Sequence, residues 1–182
     1  GDSLGAGYGL PTEKGFVAQL ETALRKRGHD IKVMNSSISG DTTAGGRARL
    51  GWALSSKPDY VIVELGGNDG LRGLDPAQTR ANLNAILKRL KDKKIPTLLA
   101  GMMAPRNLGP EYERAFNGAY TQLAKKHGAV LYPFFLDGVA LDPKLNQRDL
   151  IHPNAQGVAV IVKRIVPYVE KLVGKPSSKN NN

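Results

Sequence analysis

Three residue types in this chain could combine into nucleophilic catalysis. Ser3 stands between small and apolar residues in Gly1-Asp2-Ser3-Leu4, at a position that reads as a strand-to-helix corner. A serine hydroxyl becomes a nucleophile only when a base takes its proton. The chain has no cysteine and three histidines, His29, His127 and His152. His29 and His127 each adjoin a glycine at the end of a helical segment, where a partly exposed imidazole is favourable against the helix dipole. His152 differs, because it lies in Asp149-Leu-Ile-His152-Pro153-Asn154, ahead of the last helix. An aspartate three residues before a histidine can fold back onto its Nδ1 proton, leaving Nε2 free to take a proton from serine. The same residues have plainer uses. Serine caps helices and fills turns, and Asp149 or Asn154 could cap the helix that follows.

A tetrahedral intermediate would also need preorganised donors for its oxyanion. Two segments could offer them. Gly66-Gly67-Asn68-Asp69 follows the most strand-like run of the sequence and carries the Asn68 amide. Ser39-Gly40-Asp41 offers a bare backbone N–H at Gly40. Both also read as turns, since Gly, Asn and Asp dominate turns. The start of the chain, Gly5-x-Gly7-x-Gly9, has the wrong spacing for a dinucleotide fingerprint and lacks the Gly-Lys-Ser/Thr of a phosphate loop. It reads as a flexible turn.

These residues can meet only if the elements between them lead to one edge. Apolar periodicity predicts a helix over 16–27, stopped at Gly28, and a short strand over 31–34. Residues 43–54 read as a helix weakened by Gly45, Gly46 and Gly51. A strong strand follows at 60–65. A helix over 76–90 starts on Asp75 and Pro76 as N-cap and N1. Then come a strand at 95–102, a helix at 110–126 ended by Gly128, and a short strand at 130–132. A final helix spans 154–173, with Pro167 expected to kink or split it. Strands alternating with helices predict a parallel sheet covered on both faces. Ligands in such sheets sit beyond the carboxyl ends of the strands.

Length and composition bound the rest. The 182 residues fit one domain, here 1–173, with 174–182 expected as a polar, disordered tail. At 41% hydrophobic and 23% charged, the usage is globular, which excludes collagen and coiled coil. The longest apolar run is far too short for stable membrane insertion. Without cysteine, thiol chemistry and Cys-based metal sites are excluded, and no H-E-x-x-H occurs, so no metal or other cofactor is expected. The net charge of +10 raises the question of an anionic partner. The basic clusters, such as Arg25-Lys26-Arg27, fall at helix ends and read as a solvated surface. No nucleic-acid motif is present, so no nucleic-acid partner is expected. Nothing in the sequence sets the oligomeric state.

Together the blocks Gly1-Asp2-Ser3-Leu4, Ser39-Gly40, Gly66-Gly67-Asn68-Asp69 and Asp149-x-x-His152-Pro153, in that order, resemble the SGNH (GDSL-type) hydrolases. The resemblance runs from Gly1 to about Val173. Gly-Gly-Asn-Asp-Gly-Leu-Arg-Gly at 66–73 and Tyr132-Pro-Phe-Phe135 look like the bacterial arylesterase and acyl-CoA thioesterase I/lysophospholipase L1 branch. The resemblance implies Ser3 as nucleophile, His152 as base and acid, and Asp149 as orienter. It implies an oxyanion hole from the N–H of Ser3, the N–H of Gly40 and the Asn68 side chain. The implied fold is a flavodoxin-like α/β/α sandwich around a parallel sheet. In that fold a strand precedes the serine, so the resemblance implies a first strand ahead of Gly1 that this chain lacks. Leu150 departs from the branch, which usually has a small residue there, often glycine.

The branch implies a small acyl ester as substrate, of short to medium acyl or aryl type, with thioesters and lysophospholipids as further candidates. Leu71, Leu74 and Leu108 would line the acyl site, or else pack loop onto core. Arg72 and Arg106 could meet an anionic head group. Two other readings stand beside this one. A carbohydrate-ester deacetylase would use the same triad in a more polar pocket. A basic anion- or lipid-binding module would make no use of Ser3. The branch is often periplasmic or secreted, with a cytoplasmic setting as the alternative.

Overall fold

Three short strands carry the fold: β1 (Val61–Glu64), β2 (Thr97–Ala100) and β3 (Val130–Tyr132). In the computed structural model, which describes residues 1–174, they lie side by side in that order and all run parallel. Val61 pairs with Thr97, and Leu98 with Val130. Parallel neighbours cannot be joined by a tight turn, so each pair needs a crossover. The helices α6 (Pro76–Asp92) and α7 (Pro110–His127) are those crossovers, once the earlier helices are counted: α1 (Ser3–Ala6), α2 (Phe16–Lys26), α3 (Thr43–Ala48), α4 (Leu50–Ala53) and α5 (Gly67–Leu71). The last element is α8 (Ala155–Val173).

The layers follow from which helices touch. α6 packs on α7, α2 packs on α8, and both pairs reach the sheet. Every residue of β2 is buried, as expected for a strand covered on two faces. Its Leu98 and Leu99 join Leu20 and Leu24 of α2, Leu83 and Leu87 of α6 and Phe116 of α7 in one core. Burying each such side chain contributes roughly 2 kcal/mol. No helix among the described residues is long and apolar enough to cross a membrane.

Four expectations change. Residues 31–34 form no strand. A strand exists only by pairing, and a cavity of about 500 Å³ lies between this segment and β1, lined by Val33, Leu20, Leu50 and Val63. The predicted helix over 43–54 is two helices that break at Arg49, in a stretch already loosened by glycine. The loop-like start contains the one-turn helix α1, capped by the Asp2 side chain and closed by Gly7. Finally, α8 is continuous through Pro167. The ring lies on the exposed side of the helix, so the carbonyl it leaves unpaired can turn to water. The tail expectation lies outside the described residues beyond Gly174.

Candidate active site

β1 runs directly into the segment that holds Asn68, and β3 leads to the loop of Asp149 and His152, whereas Ser3 and Gly40 precede the first strand. Ser3 is the first residue of α1, part-buried. His152 sits in a tight loop before α8. That loop is closed by an isolated antiparallel bridge between Asn146 and Pro153. The Gln147 N–H also donates to the His152 carbonyl at 2.7 Å, and Asn154 N–H to Leu145 at 2.9 Å. The Asn154 side chain then caps α8 through Gln156 and Gly157.

A continuous relay results. His152 Nε2 lies 2.9 Å from Ser3 Oγ, and His152 Nδ1 lies 2.7 Å from Asp149 Oδ2. Asp149 Oδ1 also accepts the N–H groups of Ile151 and His152, at 2.9 and 3.0 Å. The His152 N–H and imidazole hold the Asp149 carboxyl down at about 2, so it stays ionised and can only accept. Nδ1 must therefore carry the proton of the neutral ring, and Nε2 faces the serine hydroxyl as an acceptor. Tyr8 packs its ring on His152, with centroids 4.6 Å apart.

The expected oxyanion donors lie in segments tied to the Ser3 turn: the Ile38 N–H donates to the Gly1 carbonyl at 3.0 Å, and the Asn68 amide stands 3.4 Å from Asp2 Oδ2. The N–H groups of Ser3 and Gly40 find no acceptor among the described residues. The Asn68 amide donates one hydrogen to the Asp41 carbonyl at 2.9 Å. Its second hydrogen has only a long contact, 3.4 Å to Asp2 Oδ2, and is the one free for a ligand. Asn68 lies on α5, which begins directly after the turn at Gly66. That turn needs glycine twice over: φ is +113°, and a Cβ would stand 1.9 Å from the Tyr120 hydroxyl. Tyr120 donates to the Leu65 carbonyl at 3.0 Å and closes off the space.

Several supports escaped the sequence reading. Arg49 donates to the carbonyls of Gly1 and Ser36 and pairs with Asp41, tying the Ser3 and Gly40 segments together. Gln147 donates to the Tyr8 carbonyl at 2.8 Å and joins the histidine loop to the serine loop. Neither residue lies in a motif, and long-range side-chain ties leave no periodic trace. Arg72, exposed, donates one guanidinium N–H to the Gly40 carbonyl at 3.0 Å and so braces that segment. His29 is buried against Glu170 at 3.2 Å, in place of the partial exposure expected of it.

A family model, that of the GDSL-like lipase/acylhydrolase family, matches residues 1–160. The chain belongs to this family. It is 42% identical to esterase TesA of Pseudomonas aeruginosa, over 95% of this chain and 87% of that one. It is 40% identical to thioesterase 1/protease 1/lysophospholipase L1 of Escherichia coli, over 97% and 84%. The solved structure of AlinE4, an SGNH-hydrolase family esterase, is 50% identical, covers 95% of this chain and 93% of that one, and superposes with a TM-score of 0.79.

For a GDSL-family member the rim of the site is unusually revealing at Leu150. Its φ is +58°, the left-handed region that glycine occupies freely and leucine does not. A glycine would adopt this backbone without strain. Tyr8, packed on His152, and its neighbours Leu150 and Ile151 stand exposed, as do Ile38, Leu71 and Leu74, while Leu108 is half-buried near Gly73.

Two substitutions test this local backbone. Gly66→Ala is expected to destabilise by at least about 3 kcal/mol, because strain and overlap add. An unchanged urea midpoint would contradict it. Leu150→Gly is expected to stabilise by about 1 kcal/mol, as relief of left-handed strain outweighs the entropy of glycine. A lower melting temperature would show that the leucine side chain is held by packing instead.

Proposed function

We propose that this chain hydrolyses short- to medium-chain acyl or aryl esters through an acyl-enzyme on Ser3. The observation that carries the proposal is the unbroken Asp149–His152–Ser3 relay, with the Ser3 N–H left unpaired. As a family member with relatives named esterase and thioesterase, the chain is a carboxylic ester hydrolase.

The steps follow from the geometry. Ser3 Oγ attacks the ester carbonyl carbon as its proton passes to His152 Nε2. The carbonyl oxygen becomes an oxyanion held by the N–H of Ser3, the N–H of Gly40 and the Asn68 amide. Asp149, ionised and bonded to Nδ1, stabilises the imidazolium without taking its proton. Collapse breaks the C–O bond, and His152 returns the proton to the leaving alcohol. Water then attacks the acyl-serine by the same route in reverse, releasing acid and free Ser3.

The exposed apolar residues support the substrate class. Leu71 is one helical turn from Asn68, and Leu150 and Ile151 adjoin His152. An acyl or aryl group bound at Ser3 would cover them, and a rim of this kind is apolar where a sugar site would need donors. A thioester or lysophospholipid fits the same chemistry, since only the leaving group changes.

Hydrolysis of p-nitrophenyl acetate, butyrate and a long-chain ester is the direct test. Ser3→Ala is expected to lower kcat by about 10⁴-fold or more with the fold intact by circular dichroism. Retained activity would remove Ser3 as nucleophile. The pH profile tests the relay separately. Asp149 is ionised down to about 2, so it takes up no proton on the acid limb. From neutral pH to about pH 4, log kcat/KM should therefore fall with a slope no steeper than one, since Asp149 contributes no proton to that limb. A slope of two would mean that Asp149 titrates there and is not held as described.

A further inference from the structure

Beneath the Ser3 turn lie two carboxyls that the mechanism does not use. Glu64 ends β1 and points inward, 2% exposed. Its Oε2 accepts the N–H groups of Asp2, at 3.0 Å, and Gly5, at 3.1 Å. Asp2, 1% exposed, accepts the Leu4 N–H through Oδ1 at 3.0 Å, and its Oδ2 stands 3.4 Å from the Asn68 amide. The N–H groups on both sides of Ser3 are thus taken, while its own is left unpaired. Room for this contact depends on Gly5, where a Cβ would lie 3.0 Å from Glu64 Oε2.

We propose that Glu64 is a positioning residue: by holding the N–H groups of Asp2 and Gly5 it clamps the Ser3 turn from below and sets where the Ser3 N–H and hydroxyl point. This rests on the esterase reading above.

The geometry also gives its form. Glu64 Oε1 meets no donor, and neither carboxyl joins an ion pair with a side chain among the described residues. An ionised carboxylate sealed in the core would need donors on both oxygens. A carboxylic acid needs them on one, and its hydroxyl can donate to the neighbouring Asp2. Burial together with the charge of Asp2 pushes Glu64 well above the usual carboxylate range, in agreement. Glu64 therefore acts as a neutral acid, which glutamine can imitate.

Four variants test the clamp with p-nitrophenyl butyrate, each checked for folding by circular dichroism. Glu64→Gln is expected to keep kcat within about 3-fold of the parent. Glu64→Leu leaves two N–H groups unpaired and lets the Ser3 turn drift. It is expected to lower kcat by about 30-fold with KM changed less than about 2-fold, since the Ser3 N–H and hydroxyl act on the transition state. Glu64→Asp withdraws the carboxyl by one methylene and is expected to lower kcat by about 10-fold. It decides the matter if the leucine variant does not fold. Ser3→Ala runs in parallel. A folded leucine or aspartate variant with parental kcat overturns the clamp. So does a glutamine variant as impaired as the leucine one, which would show that the charge is what matters. If Ser3→Ala is fully active, the esterase reading itself fails and the clamp with it. If Ser3→Ala is dead while the Glu64 variants are unimpaired, only the clamp fails.

Discussion

Ser3 and His152 are 149 positions apart and must meet within 2.9 Å. One hydrogen bond contributes only about 1 kcal/mol net, far too little to organise a chain. Helix packing brings the two residues together instead. α2 follows the serine segment and α8 follows the histidine loop, and these two helices pack on each other. Their apolar faces, Phe16, Leu20 and Leu24 against Val158, Ile161, Val162 and Ile165, lie in the common core. The pair is stitched at both ends. Gln19 donates to the Ala155 carbonyl at 3.1 Å, and Arg27 and His29 both bind Glu170. The site is thus assembled by burial between elements that carry none of its chemistry.

The price of placing donors at a sheet edge is a polar interior just beneath it. Asp2, Glu64, Asp69, Thr43 and Thr79 are all buried there. Each must find partners or destabilise the fold by several kcal/mol. Asp69 shows how this is met: it accepts the Thr43 N–H at 2.8 Å, the Thr43 hydroxyl at 2.5 Å and the Thr79 hydroxyl at 3.2 Å. One carboxyl therefore locks α3 and α6 to α5, the helix that carries Asn68. The second residue of Asn68-Asp69 is accordingly a scaffold group, though its neighbour is the proposed oxyanion donor. Residues adjacent in a motif need not share a role.

How much of this is legible without coordinates depends on the range of the interaction. Helices with strong starts and stops, such as α6 after Asp75 and α7 before Gly128, are written locally and lie within a residue or two of expectation. So is the Asp149–His152 contact, because three residues of spacing nearly determine it. The segment 31–34 fails because β-type residues make a strand only beside a partner, which no local pattern contains. Pro167 misleads because its effect turns on which side of α8 it occupies. Arg49, Gln147 and Glu64 are invisible for the same reason: each acts across 13 to 139 positions. Their side chains are ordinary until the fold places them.

The strain at Leu150 adds a final step. Left-handed backbone at a residue other than glycine costs about 1–3 kcal/mol and persists only where the surroundings fix it. Here the bonds from Leu150 N–H to Gln147, and from Gln147 N–H to His152, close the loop on either side. Those same bonds set the direction of the imidazole. Relaxing Leu150 would disturb those bonds and with them the backbone that carries His152. A leucine at this position is therefore tolerated by the geometry that the relay requires, and its side chain is held out at the rim, 44% exposed. Variation at such a position changes what the rim presents to a substrate while leaving Asp149 and His152 in register. The sheet and its polar underlayer fix the chemistry, and the loop residues between fixed points are free to tune what is admitted to it.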